Sequence, residues 1–274
     1  MTLEELQEPV RLSFSEFRKE YKRHFQGSAT ILHDVEEYLA RIPGKQLRPL
    51  LLLLSARACN TLTKSHILLA AAMELLHNAT LMHDDVVDES DIRRGQESVR
   101  RHWSNQVAVL CGDYYLAQVM SIMQTIGNRD ISSLFLNTVS VMCQGELKQL
   151  SLTSEKNITT DNYLDIIGSK TASFMSLCCE LGAMCTSDNY DNNNIRKAMH
   201  DFGYCYGMIF QIRDDLFDAH SPHDICFPTD FNAQNLIDEY TAKACHALNL
   251  LPLSPAKEAL AKLLLPSSPS PTNS

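Results

Sequence analysis

The sequence predicts an all-α protein, and two observations support that prediction. Apolar residues recur at helical spacing through most of the chain, whereas the alternation typical of strands is nearly absent. Glycine and proline, ten of each, fall mostly between the periodic stretches, where they can end helices. The chain has 274 residues, 45% of them hydrophobic, which is enough for one large helical domain or two ordinary ones.

The predicted helices follow one another with short connections. They cover residues 10–25, 29–41, 46–59, 64–88, 95–103, 106–126, 129–150, 160–168, 170–186, 192–218, 232–249 and 255–265. Pro43-Gly44 separates the second helix from the third, and Ser254-Pro255 supplies an N-cap followed by proline at the first helical position. The Pro- and Ser-rich residues 266–274 predict a disordered tail.

Charge and composition exclude several classes of function. A formal net charge of -9 argues against a nucleic-acid partner, whose phosphates require a basic surface. No segment is long and apolar enough to span a bilayer, so we expect a soluble protein with no transmembrane segment. The nine cysteines show no metal-binding spacing. Their odd number and the acidic start, residues 1–5, predict free core thiols and a cytoplasmic location.

A five-residue pattern that occurs twice carries most of the functional information. The first motif is DDVVD at residues 84–88, and the second motif is DDLFD at residues 214–218. Each lies in a predicted helix, so its first and last carboxylates are one turn apart on one face, where their like charges repel. A compensating cation is therefore expected. Paired oxygen ligands suit Mg²⁺, which completes its shell with water and substrate phosphates. The pattern predicts a diphosphate held by metal between two helices.

Polar side chains near the first motif extend this prediction. His77 lies on the same helical stripe as Asp84 and Asp88, which favours a ligand-binding histidine over an ordinary core histidine. Arg93 and Arg94 follow the motif, and they can either pair with its carboxylates or clamp phosphate oxygens.

Two further segments carry cations or amides at helix ends. Lys45 and Arg48 follow Gly44 at a predicted helix start, where an anion is favoured, and this predicts a second phosphate site. A P-loop is excluded because its GxxxxGK[ST] pattern is missing. Lys170-Thr171 stands at a break between helical segments, and Gln211 lies one turn before Asp214.

In this order, the motifs resemble those of the trans-isoprenyl diphosphate synthases. They are Gly-Lys-x-x-Arg-Pro at 44–49, the histidine before the first motif, the first motif with Arg93-Arg94-Gly95, Lys170-Thr171, and Phe-Gln-Ile-Arg before the second motif. The resemblance covers about residues 10–220. It implies a single domain over residues 1–265, a bundle of antiparallel helices around a deep central cavity, with its C-terminal part shortened.

The resemblance also implies a role for each matched residue. Asp84, Asp88 and Asp214 would be the principal Mg²⁺ ligands, assisted by Asp85, Asp215 and Asp218. Isopentenyl diphosphate would be bound by Lys45, Arg48, His77 and Arg94. The allylic diphosphate would be bound by Arg93, Lys170 and Gln211, and Lys170, Thr171 and Gln211 would serve catalysis by steadying the allylic cation. The implied reaction is ionisation of the allylic diphosphate, condensation with isopentenyl diphosphate, and loss of a proton.

Product length in such a synthase depends on where the growing chain meets a wall. Ala79 and Thr80 occupy positions where short-chain members of the family often carry an aromatic ring. The small side chains predict a long all-trans polyprenyl product, with the floor of the tunnel set by Leu76, Met120 or Met123.

After Asp218 the sequence departs from the family pattern. A block that normally contains a further diphosphate-binding lysine is missing, and His220, His223 and Asp224 follow instead, as a polar loop or an additional metal site. The shortened part leaves three alternatives open: a regulatory subunit of a heteromeric synthase, a short-chain farnesyl or geranylgeranyl synthase, or a class I terpene cyclase. The family resemblance further implies a homodimer, with transient membrane contact at product release.

Overall fold

The computed structural model describes residues 2–24, 29–41, 44–60, 62–153, 159–184, 193–218 and 231–265. The helices are α1 (Leu3–Gln7), α2 (Arg11–Arg23), α3 (Thr30–Ala40), α4 (Leu47–Ala58), α5 (Lys64–Val87), α6 (Val99–His102), α7 (Asn105–Ile126), α8 (Arg129–Thr153), α9 (Thr160–Ile167), α10 (Ser173–Met184), α11 (Asn193–Asp218), α12 (Ala233–Leu248) and α13 (Pro255–Leu263). A 3₁₀ turn (Glu8–Val10) precedes α2, and a π-helical turn (Gly168–Ala172) joins α9 to α10. Two short strands, β1 (Ile92–Arg93) and β2 (Gln96–Glu97), pair antiparallel. The prediction of an all-α fold is confirmed.

The helix ends follow local capping chemistry. The Thr63 side chain and His66 form a reciprocal cap at the start of α5, and Ser104 caps α7 through the Val107 N–H. Gly127 ends α7 with φ 65°, a left-handed conformation that glycine adopts without strain. These caps explain why most predicted ends agree with the observed ones to within a few residues.

The prediction of one helix over residues 95–103 is wrong at its start. Arg94 and Gly95 both have positive φ, 54° and 76°, and they form the two-residue turn between β1 and β2. Two consecutive positive φ values match the twist of a tight hairpin and cannot begin an α-helix. Helix α6 therefore starts only at Val99, after the Ser98 side chain caps it. The short α1 was not predicted.

The chain divides into two compact units, and each motif lies in a different one. The first-motif unit comprises Val10–Leu53 and Thr63–Asn128. The second-motif unit comprises Met1–Pro9, Leu54–Leu62 and Arg129–Ser274. The single domain over residues 1–265 and its central cavity stay predictions, and the predicted tail at 266–274 lies outside the described residues.

Each unit is built on a helix that is buried around its whole circumference. In the first-motif unit, α5 is buried at every position from Leu69 to Leu76 and packs against α2 and α7. In the second-motif unit, α10 is buried from Phe174 to Ala183 and packs against α8 and α11. A helix that is mainly apolar on every side, as both stretches are, is stable only when neighbours cover every face. Among the described helices, none is both long and apolar enough to cross a bilayer.

The described cysteines are all free thiols, as predicted. Cys111, Cys178, Cys179 and Cys205 are buried. Cys143 and Cys245 are exposed, so the prediction that the cysteines are core residues is wrong for these two.

Candidate active site

The first motif lies where α5 ends. Asp88 is the C-cap residue, and its N–H donates to the Asp84 carbonyl at 2.8 Å. The Asp85 side chain is buried, and its Oδ1 accepts from Arg93 Nε at 2.8 Å and Nη2 at 2.5 Å. Burial raises the pKa of the Asp85 carboxyl, and the two bonds from Arg93 partly offset that rise. The central carboxylate is therefore held in place, while Asp84 is half-buried and Asp88 is exposed.

The β1–β2 hairpin explains why two adjacent arginines have different neighbours. Arg93 is the last residue of β1, whereas Arg94 is the first residue of the turn and has a φ of 54°, so the backbone sends the two side chains in different directions. Arg93 pairs with Asp85, which supports the carboxylate-pairing interpretation for this residue. Arg94 lies against Gly44, where an added Cβ would be 2.5 Å from Arg94 Nη2. Glycine at position 44 thus lets the guanidinium approach the backbone beside Lys45.

The four residues predicted to bind isopentenyl diphosphate converge in the first-motif unit. Arg48 Nη1 lies 3.1 Å from His77 Nε2, and Lys45 is exposed beside Gly44. Burial lowers the pKa of His77 well below its ordinary value, and Arg48 and Arg94 lower it further. Because a guanidinium only donates, His77 Nε2 accepts, and the imidazole is neutral near neutral pH. We call these four residues, the cations Lys45, Arg48 and Arg94 with the neutral His77, the cation group.

A buried carboxyl that the sequence did not predict lies beside the cation group. Glu74 is one turn before His77 on α5 and only 3% exposed. Burial raises its pKa to about 7, although Arg48 and Arg94 lower it. Asn78 donates both to the Glu74 carbonyl at 3.0 Å and to the Tyr21 hydroxyl at 2.7 Å. Glu74 could have been found from the sequence as a charged residue in an otherwise apolar stretch.

The second motif is supported by neutral hydrogen-bond donors. Tyr163 donates its hydroxyl hydrogen to Asp215 Oδ2 at 2.6 Å, and Gln211 Nε2 donates to Asp215 Oδ1 at 2.7 Å. Gln211 Oε1 in turn accepts from the Thr171 hydroxyl at 2.8 Å. The Gln211 amide is therefore oriented from both sides. Asp214 is exposed, and nothing is described of the Asp218 side chain.

A residue on the opposite side of the second motif fastens α11 to α13. Arg213 donates to the carbonyls of Leu264 at 2.9 Å and Leu265 at 3.4 Å, next to the end of α13. These carbonyls have no partner within the helix, so the guanidinium satisfies them. The end of α13 thus supports the helix that carries the second motif.

The predicted break at Lys170-Thr171 is the π-helical turn. Its last backbone bond runs from the Ser173 N–H to the Gly168 carbonyl, five residues back. The turn packs closely against two other helices at glycines. A Cβ at Gly145 would lie 2.7 Å from Ser169 Cβ, and one at Gly207 would lie 2.5 Å from Ala172 Cα. Such turns are frequent at functional sites because they change the direction of neighbouring side chains.

Lys170 is paired with residues that the sequence did not identify. Its Nζ lies 2.6 Å from Glu146 Oε2 and donates to Gln149 Oε1 at 3.3 Å. Both partners are on α8, more than 20 residues away, so no local pattern links them to Lys170. The sequence signal that could have found Glu146 is its position directly after Gly145.

The residues predicted to set product length differ in how deeply they are buried. Ala79 is fully buried, and Thr80 is half-buried with its hydroxyl bonded to the His77 carbonyl at 2.9 Å. Leu76 and Met123 are buried, as a tunnel floor requires. Met120 is 60% exposed, because it lies on the outer face of α7, and its proposed place in the floor is wrong.

The carboxylates of each motif are oxygen donors of the kind that a hard divalent cation prefers. Within the described ranges, no three His, Cys, Asp or Glu side chains form a preformed cation cluster. Mg²⁺ does not need one, because it retains waters and takes substrate phosphate oxygens as ligands. Asp84, Asp88 and Asp214 offer carboxylate oxygens at exposed or half-buried positions. The individual ligands stay predictions, and His220, His223 and Asp224 lie outside the described residues.

Known proteins are similar to this chain over most of its length. The polyprenyl synthetase family model matches residues 29–230. Octaprenyl diphosphate synthase from Escherichia coli is 31% identical over 221 residues, which are 80% of this chain and 67% of that protein. Heptaprenyl diphosphate synthase component 2 from Geobacillus stearothermophilus is 34% identical over 200 residues, 73% of this chain and 62% of that protein. This chain thus spans about two thirds of the length of these curated relatives.

A solved structure supports the fold over nearly the whole chain. The polyprenyl synthase from Caulobacter crescentus, solved in complex with calcium and isoprenyl diphosphate, superposes with a TM-score of 0.87 at 24% identity. The match covers 96% of each chain. This similarity shows the fold, and the family model and the octaprenyl relative confirm the predicted resemblance. The chain belongs to the polyprenyl synthetase family.

Proposed function

We propose that this chain is a metal-dependent prenyltransferase that adds isopentenyl diphosphate to an allylic diphosphate to make a long all-trans polyprenyl diphosphate. The relatives named above are long-chain prenyl diphosphate synthases, which supports this activity over a short-chain synthase or a terpene cyclase. A terpene cyclase has no use for a second diphosphate-binding group.

The observation that carries the proposal is the convergence of the cation group. Arg48, His77 and Arg94 come from α4, α5 and the β1–β2 turn, yet Arg48 lies 3.1 Å from His77 and the charges of both arginines act on His77. Arg48 and Arg94 place two positive charges near the buried His77, and burial favours the neutral form of the nearby Glu74 carboxyl, so a bound anion would balance this charge. A diphosphate supplies that charge, and guanidinium groups match its oxygens in bidentate fashion.

The second-motif unit carries groups suited to the allylic substrate. Lys170 supplies a cation for its diphosphate, and the hydrogen-bonded pair Thr171–Gln211 presents oriented dipoles. We propose that these dipoles stabilise positive charge as the leaving group departs. The chain's own contribution is thus to place cations at the diphosphate and polar oxygens near the developing allylic cation.

We propose Mg²⁺ as the cation of both motifs, held by Asp84, Asp88 and Asp214 with help from Asp85, Asp215 and Asp218. When bound, Mg²⁺ neutralises the departing pyrophosphate and so supplies a Lewis acid for the ionisation. Asp85 and Asp215 are already bonded to protein donors, so they would orient the motifs and would not be the principal ligands of the metal.

An elongation assay tests the proposal. The purified full chain is incubated with Mg²⁺, isopentenyl diphosphate and a labelled allylic diphosphate, and the products are separated by length. We expect a long-chain product, and none when isopentenyl diphosphate or the metal is omitted. Product without isopentenyl diphosphate would identify a cyclase instead. Elongation only beside a second synthase chain would identify a subunit, as the name of the component 2 relative suggests for that protein.

We also propose that the chain self-associates. On α7, Leu110 and Met120 are exposed, and on α8 so are Leu136 and Leu147. Large apolar side chains repeated along a helix face commonly mark an association surface. Light scattering of the purified chain tests this, and a monomer at micromolar concentration would contradict it.

A further inference from the structure

We infer that Glu146 is a positioning residue that holds Lys170 and sets how tightly the chain binds the diphosphate of its allylic substrate. The inference rests on the proposed function, because it concerns the lysine proposed to bind that diphosphate. It adds a residue on α8 to the site and gives that residue an electrostatic role.

The contact between the two side chains is close and partly sheltered from water. Glu146 Oε2 lies 2.6 Å from Lys170 Nζ, and the two side chains are 18% and 29% exposed. Gln149, one turn further along α8, accepts a second bond from Lys170 at 3.3 Å. The other carboxylate oxygen, Glu146 Oε1, is buried and has no hydrogen-bond partner among the described residues. A carboxylate with one oxygen unsatisfied is poorly solvated, so its charge acts strongly on the nearest cation.

The backbone fixes this pair in register. Gly145 lets the π-helical turn lie directly on α8, since a Cβ there would be 3.3 Å from the Lys170 backbone nitrogen. The Ser173 hydroxyl donates to the Ser169 carbonyl at 2.5 Å, which satisfies one carbonyl of the turn. The backbone therefore holds Glu146 and Lys170 close together, and the ion pair is present before a substrate binds.

The pair has a consequence for substrate binding. A diphosphate that uses Lys170 must compete with Glu146 for the same ammonium group. The carboxylate therefore weakens binding of the allylic diphosphate, and it offers Lys170 a partner again when pyrophosphate leaves. Replacing the carboxylate by an amide keeps the shape and a hydrogen-bond acceptor but removes the competing charge. The anion should then bind more tightly.

The experiment measures binding of inorganic pyrophosphate with Mg²⁺ by titration calorimetry, which needs no turnover. We expect Glu146→Gln to bind pyrophosphate roughly threefold to tenfold more tightly than the unmodified chain. KM for the allylic diphosphate should fall by a similar factor, while KM for isopentenyl diphosphate stays unchanged. In a Lys170→Met background, the same substitution should have no effect on pyrophosphate binding.

A matched control lies on the neighbouring turns. Lys148 and Asp165 form an ion pair of the same 2.6 Å length between α8 and α9, but both side chains are more exposed. Asp165→Asn removes a carboxylate without touching Lys170 and should leave pyrophosphate affinity unchanged. An equal gain in Asp165→Asn would show a general charge effect and overturn the inference.

The outcomes separate this inference from the proposed function. If the unmodified chain binds pyrophosphate and elongates, but Glu146→Gln binds it with unchanged or weaker affinity, the inference fails and the proposed function stands. If the unmodified chain neither binds pyrophosphate with Mg²⁺ nor elongates, the proposed function fails and the inference fails with it.

Discussion

On α5 the central aspartate of the first motif is bonded to a cation, whereas on α11 the central aspartate of the second motif is bonded to neutral donors. Arg93 holds Asp85 through two bonds to one oxygen. Tyr163 and Gln211 hold Asp215, one on each oxygen. The helices also end differently, because α5 stops at Val87 within its motif and α11 continues to Asp218.

The difference shows that one ligand pattern can be oriented by two kinds of chemistry. An ion pair neutralises part of the first motif's charge, so its strength depends on salt and on the hairpin that delivers Arg93. Neutral donors orient the second motif without removing charge. The bonds to Asp215 therefore leave the charge of that carboxylate available to a bound cation, whereas Arg93 offsets part of the charge of Asp85.

The largest expected effect comes from removing one outer carboxylate of each motif. Asp84→Asn and Asp214→Asn should each lower kcat for elongation by at least about 100-fold, because each removes a proposed oxygen ligand of the metal. Steady-state elongation assays at saturating Mg²⁺ measure this. Asp91→Asn, which removes an exposed carboxylate paired with Arg100 outside the motif, is the control and should retain activity. Full activity in Asp214→Asn would mean that the second motif is not used.

The next effect is on stability and concerns the first-motif unit. The pKa of Glu74 is raised by burial from 4.5 to about 7, so the folded state binds this proton more tightly than the unfolded state. The stabilisation of the folded state by this bound proton is complete below about pH 4.5 and is lost as the pH rises to about 7. Glu74→Gln should remove this loss, which is on the order of 3 kcal/mol by linkage.

Fluorescence of the single tryptophan, Trp103, reports unfolding of the same unit. Urea titrations between about pH 4.5 and about pH 8 should show a flatter stability profile for Glu74→Gln than for the unmodified chain. Glu37→Gln, which changes an exposed carboxylate on α3, is the matched control and should keep the original slope. An unchanged slope in Glu74→Gln would show that Glu74 is not the titrating group.

A smaller effect on stability distinguishes the neutral hydrogen bond to Asp215 from the ion pair with Asp85. Tyr163→Phe should cost about 1–2 kcal/mol, because a hydrogen bond to a charged group is lost at a fully buried ring, and the loss should be the same at low and high salt. Arg93→Gln should cost about 1 kcal/mol at low salt and less in about 1 M salt, since Arg93 is 37% exposed.

Circular dichroism during thermal unfolding measures both losses. If the loss in Tyr163→Phe also shrinks with salt, the contrast between neutral and ionic support is wrong. Lys243→Gln, which breaks an exposed ion pair with Glu239 on α12, shows the salt response of a surface pair.

Much of the fold followed from the sequence because helical periodicity and capping are local. Thr63, Ser254 and Gly127 mark helix ends by their own chemistry, so the helices on which they lie agree with prediction. The hairpin at Ile92–Glu97 was missed because it depends on two positive φ values and on the Tyr38 hydroxyl, which donates to the Glu97 carbonyl from α3.

The site residues also fall into those that a local pattern predicts and those that only packing brings to the site. His77, Arg48 and Gln211 could be proposed because a motif or a helical stripe contains them. Tyr163 and Glu146 could not, because they reach Asp215 and Lys170 from 52 and 24 residues away along the chain, and only packing brings them together. Met120 was misplaced for a related reason, since periodicity alone does not tell which face of α7 is covered.

The smallest expected effect on rate, with a clear effect on product, concerns the residues just before each motif. Ala79 and Thr80 lie five and four positions before Asp84, whereas the matching positions before Asp214 on α11 carry Ile209 and Phe210. If the polyprenyl chain grows along α5, a ring at position 79 or 80 should block it. Ala79→Phe and Thr80→Phe should shorten the product, which chromatography of the dephosphorylated alcohols measures.

Leu76→Ala and Met123→Ala should lengthen the product, because both side chains are buried and their truncation opens space. Ala79→Ser adds little volume and should leave the distribution unchanged. Equal product lengths in Ala79→Phe and Ala79→Ser would place the growing chain elsewhere than along α5.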